Sequence, residues 1–190
     1  MMGISNAQKS AYNILTSVLG QAITIILGVV IPRLVLVNLG SENNGLLSSI
    51  TQVLGYASLL EAGVGLASLQ ALYKPVAEHD EASVNAIMSA TNLYYKRTGI
   101  AYLLTVIILS AIYPVIIKSS LPYGTITIVV LISGLPGVVN YYFQGKYKIL
   151  LQAEGRTYII TNLATVIGIL TSVGKILLLL LGFGVIAVQS

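Results

Sequence analysis

Apolar residues fill five long runs along this chain, and short polar stretches separate the runs. A helix needs about 20 mostly apolar residues to cross a bilayer, because its backbone must satisfy its own hydrogen bonds in hydrocarbon. Each run approaches or exceeds that length. The pattern therefore predicts an all-α integral membrane protein with five transmembrane helices. The predicted spans are residues 12–39, 45–72, 99–117, 123–144 and 158–181.

The chain becomes apolar again after the fifth run. Gly182, Phe183 and Gly184 are followed by VIAVQS, residues 185–190. This ending predicts the start of a sixth span. Residues 1–190 would then form one N-terminal transmembrane lobe that looks truncated.

The longest polar link, residues 75–97, predicts a helix of its own. Asp80 is a residue type that caps helix starts. Apolar positions after it repeat at helical spacing, so the link is an amphipathic extension of the third span that rests on lipid head groups or docks a partner.

Composition excludes a soluble globular domain. Apolar residues make up 56% of the chain and charged residues 8%, and the mean hydropathy is +0.89; a soluble domain has about 25% charged residues. The absence of cysteine excludes disulfides and thiolate metal sites, and the single histidine excludes a His-cluster metal site. No cofactor is expected.

The basic residues indicate the orientation in the membrane. The net charge of +4 is distributed in short tracts between apolar runs, which argues against a nucleic-acid partner and for the positive-inside rule. If the N-terminus is cytoplasmic, seven basic residues lie in the inner segments and one, Lys118, lies in the outer links. The seven are Lys9, Lys74, Lys96, Arg97, Lys146, Lys148 and Arg156.

Lys175 ends a polar stripe in the fifth span. Thr161, Thr165, Gly168, Ser172 and Lys175 are spaced by four, three, four and three residues, so they share one helix face. One interpretation is the wall of a hydrated cavity. The other is a tight helix contact in which Lys175 extends to the outer head groups.

Glu61 is the one acid inside a predicted span. It shares a face with Ser58, Gly65 and Ser68, which places it inside the bundle. Two functional roles are open: Glu61 relays protons, or it binds a coupling cation. Two structural roles are open as well: it caps a backbone break near Gly63 and Gly65, or it pairs with a lysine.

Three further polar residues complete the candidate site. Arg33 follows Pro32, and it reaches either a cavity or the outer phosphate head groups. Asn140 and Gln144 share a face of the fourth span, with Pro136 interrupting that helix.

Soluble-enzyme motifs are missing. GVG at residues 63–65 does not make a dinucleotide-binding loop, and the chain has no P-loop and no Ser/His/Asp set. The acids that cluster after Pro75 lie at a helix start, where acids are favoured anyway. The sequence therefore predicts that the protein is not an enzyme.

Several segments of the chain carry a family resemblance: an arginine in the first span, LGSENNGL at 39–46, LLEAGVGLA at 59–67, LYKP at 72–75 and YKILLQAEGRTYI at 147–159. They resemble bacterial polysaccharide-repeat-unit flippases of the Wzx type, within the superfamily that includes lipid II flippases and multidrug/toxin exporters. The similarity extends over nearly all of the chain. It implies two helical lobes around a cationic cavity, of which this chain supplies most of the first.

The resemblance also implies a function. A flippase of this kind exports undecaprenyl-pyrophosphate-linked oligosaccharide across the bacterial cytoplasmic membrane for capsule or exopolysaccharide synthesis, alongside a polysaccharide polymerase and glycosyltransferases. Lys175 and Arg33 would contact the pyrophosphate, Glu61 would balance them or bind a coupling ion, and Thr161, Thr165, Ser172, Asn140 and Gln144 would form a polar cavity face.

Two alternatives remain open. One is a cation-coupled drug or toxin antiporter of the same superfamily, with Glu61 as its ion site. The other is a non-transporting membrane assembly subunit or a membrane-bound transferase.

Overall fold

The structure, a computed structural model, describes residues 6–57, 59, 62–117 and 119–189, and no strand occurs among them. Glu61, Ser58 and Lys118 lie outside these described residues. The chain folds into seven α-helices and one π-helical turn in the described ranges. They are α1 Asn6–Ala57, α2 Ala62–Ala77, α3 Glu81–Ile116, α4 Tyr123–Val139, a π-helical segment Asn140–Gln144, α5 Gly145–Ala153, α6 Thr157–Leu180 and α7 Val185–Gln189.

Within the described part of the chain, four helical stretches are long and apolar enough to cross a membrane. They are Val18–Ala57, Glu81–Ile116, Tyr123–Ala153 and Thr157–Leu180. The all-helical prediction is thus confirmed for the described residues, and a multi-pass membrane protein is compatible with it. The predicted count of five spans and the start of a sixth is not confirmed, and α7 has only 5 residues.

The first two predicted spans meet at a kink inside α1. We expected a link after residue 39, and two helical arms of α1 join there at a single non-helical residue, Gly40, with φ 87° and ψ 170°. Glycine tolerates this conformation because it has no Cβ. The remainder of the second predicted span belongs to α2, which includes Gly63 and Gly65. The backbone at these two glycines is therefore helical.

The fourth predicted span extends beyond residue 144. Pro136 does not end its helix; α4 continues to Val139, and the irregularity is the π-helical segment that follows. α5 then prolongs the helix to Ala153, so Lys146 and Lys148 lie on a helix and not in the loop that we expected. Such an irregular turn can occur at membrane depth when neighbouring helices bury it.

The α2–α3 turn forms the predicted helix start. Asp80 caps α3, and its Oδ1 accepts a hydrogen bond of 3.1 Å from the backbone amide of Ser83. Hydrogen bonds from the Ser83 hydroxyl and amide hold the pKa of the Asp80 carboxyl below its usual value. α3 is continuous from this cap to Ile116, as the amphipathic-extension prediction requires.

α3 and α4 pack closely because glycines of α4 face bulky side chains of α3. A Cβ added at Gly134 would lie 2.4 Å from Cγ1 of Val106, and one added at Gly137 would lie 2.6 Å from Cε1 of Tyr102. Small residues of this kind let transmembrane helices approach each other. The ring of Tyr102 also meets that of Tyr141 edge-on at 5.1 Å.

The bundle has two groups of buried residues. The larger one joins the second part of α1 to α2, α3, α4 and α5 around Ile50, Leu72 and Val129. The smaller one joins α1, α6 and α7 through Val35, Leu179 and Val188. The first part of α1 therefore packs mainly on α6, and this pairing positions the candidate site.

Candidate functional site

A groove of about 410 Å³ runs between α1 and α6. We call it the α1–α6 groove. Its walls are Gly20, Gln21, Ile23, Thr24 and Leu27 of α1 and Ile160, Thr161, Ala164, Thr165, Gly168 and Ile169 of α6. Thr161 and Thr165, which the sequence placed on a polar face, thus line one groove together.

The groove has mostly apolar walls that carry a few neutral polar groups. Thr24 donates a hydrogen bond of 2.8 Å to the carbonyl of Gly20, and Thr161 donates one of 3.2 Å to the carbonyl of Thr157. These bonds use the hydroxyl protons, so the hydroxyl oxygens remain as acceptors, and Gln21 adds an amide with two donors. None of the lining residues is ionisable. The groove can accommodate neutral hydrogen-bonding groups such as sugar hydroxyls.

Gly20 brings the backbone of α1 against α6. A Cβ added at Gly20 would lie 2.8 Å from Oγ1 of Thr165 and 3.6 Å from Cγ2 of Thr161. The polar stripe of α6 therefore makes a close helix contact at one level and borders an open groove beside it. Whether water fills the groove stays a prediction.

The same face of α6 continues to Lys175. Ser172 is 6% exposed and Lys175 is half-buried. Among the described residues, Lys175 has no hydrogen-bond or ion-pair partner. Placing a cation inside an apolar membrane helix costs free energy, so such residues are usually functional. Lys175 is therefore a candidate site residue.

Arg33 lies on a different face of the bundle. It is exposed, whereas Val35 two residues later is buried against Leu179. α1 continues through Pro32, so the proline does not end the helix before Arg33. Arg33 therefore does not line the α1–α6 groove.

The two polar residues of the fourth span are separated from this groove. Gln144 is exposed, and Asn140 lies in another recess, where it accepts a hydrogen bond from the ammonium group of Lys148. The structure thus distributes the predicted polar face over two places. Glu61, the predicted interior acid, lies outside the described residues.

Sequence reasoning missed two polar residues. Gln21 lines the α1–α6 groove, and its signal was an amide inside an apolar run. Lys148 was counted only as a basic residue of a link. A π-helical turn places it beside Asn140, and no pattern in the sequence announces such a turn.

The described residues contain no group of three or more His, Cys, Asp or Glu side chains that could hold a metal ion. A scan against protein-family models, a search of curated proteins and a search of solved structures found no match to this chain.

Proposed function

We propose that this chain forms one wall of a transport pathway in the bacterial cytoplasmic membrane, with its N-terminus cytoplasmic. The proposed substrate is an undecaprenyl-pyrophosphate-linked oligosaccharide, which the protein exports for capsule or exopolysaccharide synthesis. The observation that carries this proposal is the α1–α6 groove, whose polar α6 face leads to the half-buried Lys175. The resemblance to polysaccharide repeat-unit flippases supplies the substrate class.

The chemistry of the groove suits this substrate. Hydroxyl and amide groups at Thr161, Thr165 and Gln21 match the hydroxyls of an oligosaccharide. A pyrophosphate needs a cation in surroundings of low dielectric constant, and Lys175 supplies one. Exposed apolar side chains along the first part of α1 suit contact with lipid or with another helical body.

A five-span arrangement remains part of the proposal. Gly40 would divide α1 into two spans that turn at the outer surface. The second arm, residues 41–57, is about 25 Å long at 1.5 Å per residue. That is shorter than a hydrocarbon core of about 30 Å. The beginning of α2 would complete this second span, and α7 would begin a sixth.

Cysteine labelling tests whether the α1–α6 groove holds water. The chain has no cysteine, so Thr165→Cys and Leu170→Cys give a clean pair on one helix. Leu170 is 67% exposed on the opposite side of α6 and should face lipid. A polar maleimide should label Thr165→Cys and not Leu170→Cys, because alkylation needs a hydrated thiolate. If neither variant reacts, α1 and α6 close the groove.

Orientation is tested in the same way. Ser83→Cys, beside the cap of α3, should react with an impermeant maleimide only after the cells are opened. Reaction in intact cells would reverse the proposed orientation.

The activity itself is tested with vesicles that contain the protein and a fluorescent lipid-linked oligosaccharide. Transfer of the oligosaccharide to the other leaflet supports the flippase proposal. Uptake of cationic dyes without such transfer would favour the drug antiporter. Absence of both, with a stable partner recovered from membranes, would favour the assembly subunit.

A further inference from the structure

A second recess, of about 280 Å³, lies between α2, α3, the π-helical segment and α5. We call it the Lys148 recess. Its polar lining comes from Tyr95, Asn140, Lys148 and Gln152, and its apolar lining includes Leu66 and Leu69. It shares no residue with the α1–α6 groove.

The π-helical segment creates this recess. Two turns of α-helix repeat after about seven residues, and a π turn adds about one more. Residues eight apart therefore face the same side across Asn140–Gln144, and Lys148 lies eight residues after Asn140. The ammonium group of Lys148 donates a hydrogen bond to Oδ1 of Asn140. Such π turns frequently occur at functional sites.

Lys148 differs from its cationic neighbours at this end of the bundle. Four of the neighbours have acidic or aromatic partners: Lys74 lies 4.0 Å from Glu78, Arg156 lies 3.3 Å from Glu154, Lys96 lies 5.9 Å from the Tyr142 ring centroid and Lys146 lies 4.8 Å from that of Tyr147. Lys148 is half-buried, and within the described ranges its partner is a neutral amide. A cation taken out of water normally acquires a counter-charge.

We propose that the Lys148 recess binds a phosphate group. Lys148 supplies the charge. Asn140 uses its carbonyl oxygen for Lys148, so its NH₂ group remains a donor, and Gln152 brings a second amide to the lining. A phosphate has enough acceptor oxygens to use all three groups. The phosphate comes from a lipid head group or from a free anion. This site does not depend on the proposed export activity.

Thermal unfolding of the purified chain in a neutral maltoside detergent tests the proposal. One titration uses inorganic phosphate against sodium chloride at equal ionic strength. The other uses short-chain phosphatidic acid against a neutral short-chain diacylglycerol. The melting temperature should rise and saturate with at least one phosphate compound, because a ligand that binds the folded state stabilises it. A response to phosphatidic acid alone assigns the phosphate to a lipid head group.

Variants separate specific binding from general attraction. Lys148→Gln should weaken the apparent affinity at least about tenfold, since it removes a charged hydrogen bond. Lys146→Gln, two residues away and over Tyr147, should change the affinity by less than about twofold. Asn140→Asp gives Lys148 a counter-charge inside the protein. It should raise the melting temperature without phosphate and abolish the response to phosphate.

Two results would overturn the proposal. The first is a wild-type protein that responds to neither compound. If Glu61→Gln, at a residue outside the described ranges, then lowers the melting temperature and creates a phosphate response, the carboxylate of Glu61 is the counter-charge. The second result is an equal loss of affinity in Lys146→Gln and Lys148→Gln.

Discussion

The ring of Tyr95 on α3 lies directly against the backbone of Gly145 at the start of α5. A Cβ added at Gly145 would lie 2.3 Å from both Cδ1 and Cε1 of this ring, and Tyr95 is 2% exposed. The same antiparallel helix contact continues at Gly99, where an added Cβ would lie 3.1 Å from the backbone nitrogen of Tyr142. Glycines thus allow α3 to run close to α4 and α5 along their length.

Gly145→Ala should destabilise the protein by about 1–3 kcal/mol, the usual cost of overpacking a core. The buried ring of Tyr95 cannot rotate away without displacing its neighbours, so the helices must separate. Gly145 has φ −52°, so the effect is steric and does not come from backbone strain. Thermal or denaturant unfolding in detergent measures the change.

Gly124→Ala is the matched control. Gly124 is an exposed residue near the start of α4, with no atom within 4 Å of an added Cβ. Replacing it should leave stability unchanged or raise it by up to about 1 kcal/mol, because alanine favours helix more than glycine does. Equal destabilisation by the two variants would contradict the close packing of α3 against α5.

The sequence predicted the helical content well because apolar periodicity is a local signal. The start of α3 at Asp80 and the shared face of Thr161, Thr165 and Ser172 follow from spacing alone. The kink at Gly40 also falls where the sequence ended the first span. The sequence did not predict that helix resumes directly after this one residue, so the polar stretch 41–44 is helical and not a loop.

The sequence predicted which residues share a helix face better than it predicted which residues of different segments lie together. Polar spacing placed Asn140 with the other cavity residues, but the structure places it beside Lys148. That pairing depends on the π-helical segment, and a strict 3.6-residue repeat gives the wrong face after it. The contact between Gly20 and Thr165 likewise depends on how α1 crosses α6, which only tertiary packing determines.

His79 occupies a backbone position that favours glycine. It has φ 56°, and the amides of His79 and Asp80 donate to the carbonyls of Val76 and Pro75. This is the Schellman ending of a helix, with His79 at the left-handed residue. His79→Gly should therefore stabilise the protein by about 1 kcal/mol, because it removes the Cβ strain.

The end of α5 provides the opposite substitution. Gly155 has φ 70°, and the amides of Gly155 and Arg156 donate to the carbonyls of Gln152 and Leu151 in the same arrangement. Gly155→Ala should destabilise the protein by about 1–2 kcal/mol, measured by the same unfolding curves. A loss of stability in His79→Gly would show that a contact of the imidazole stabilises the protein by more than the backbone strain destabilises it.

Glu42 connects the bend of α1 to the α3–α4 turn. Its Oε1 accepts hydrogen bonds from the Ser119 hydroxyl at 2.7 Å and the Ser120 amide at 2.5 Å, and its Oε2 accepts one from the Ser120 hydroxyl at 2.5 Å. Glu42→Ala should loosen this turn, because three hydrogen bonds to a carboxylate are lost together. Hydrogen exchange at residues 119–121 should become faster.

Glu78→Ala serves as the comparison for Glu42. Glu78 makes an exposed ion pair of 4.0 Å with Lys74 one helical turn away, an arrangement that contributes little to stability. Its loss should leave exchange at residues 119–121 unchanged. Unchanged exchange in Glu42→Ala as well would mean that the turn is held by other contacts.

Variants of Lys175 test whether this cation lines the proposed export pathway or extends to lipid head groups. If Lys175 contacts a pyrophosphate, Lys175→Ala should reduce export at least about tenfold, as expected for a lost charged hydrogen bond. Lys175→Arg should retain part of the activity, since the charge stays but the planar guanidinium differs from an ammonium. If Lys175 only extends to head groups, Lys175→Leu should be tolerated, because placing leucine in the bilayer costs less free energy than placing a cation there.

Export must be measured at matched membrane expression, with Lys146→Leu as a control variant outside the groove. Normal export by Lys175→Leu would show that Lys175 is not part of the proposed pathway. Arg33 could not replace it there, because Arg33 is exposed and does not line the α1–α6 groove.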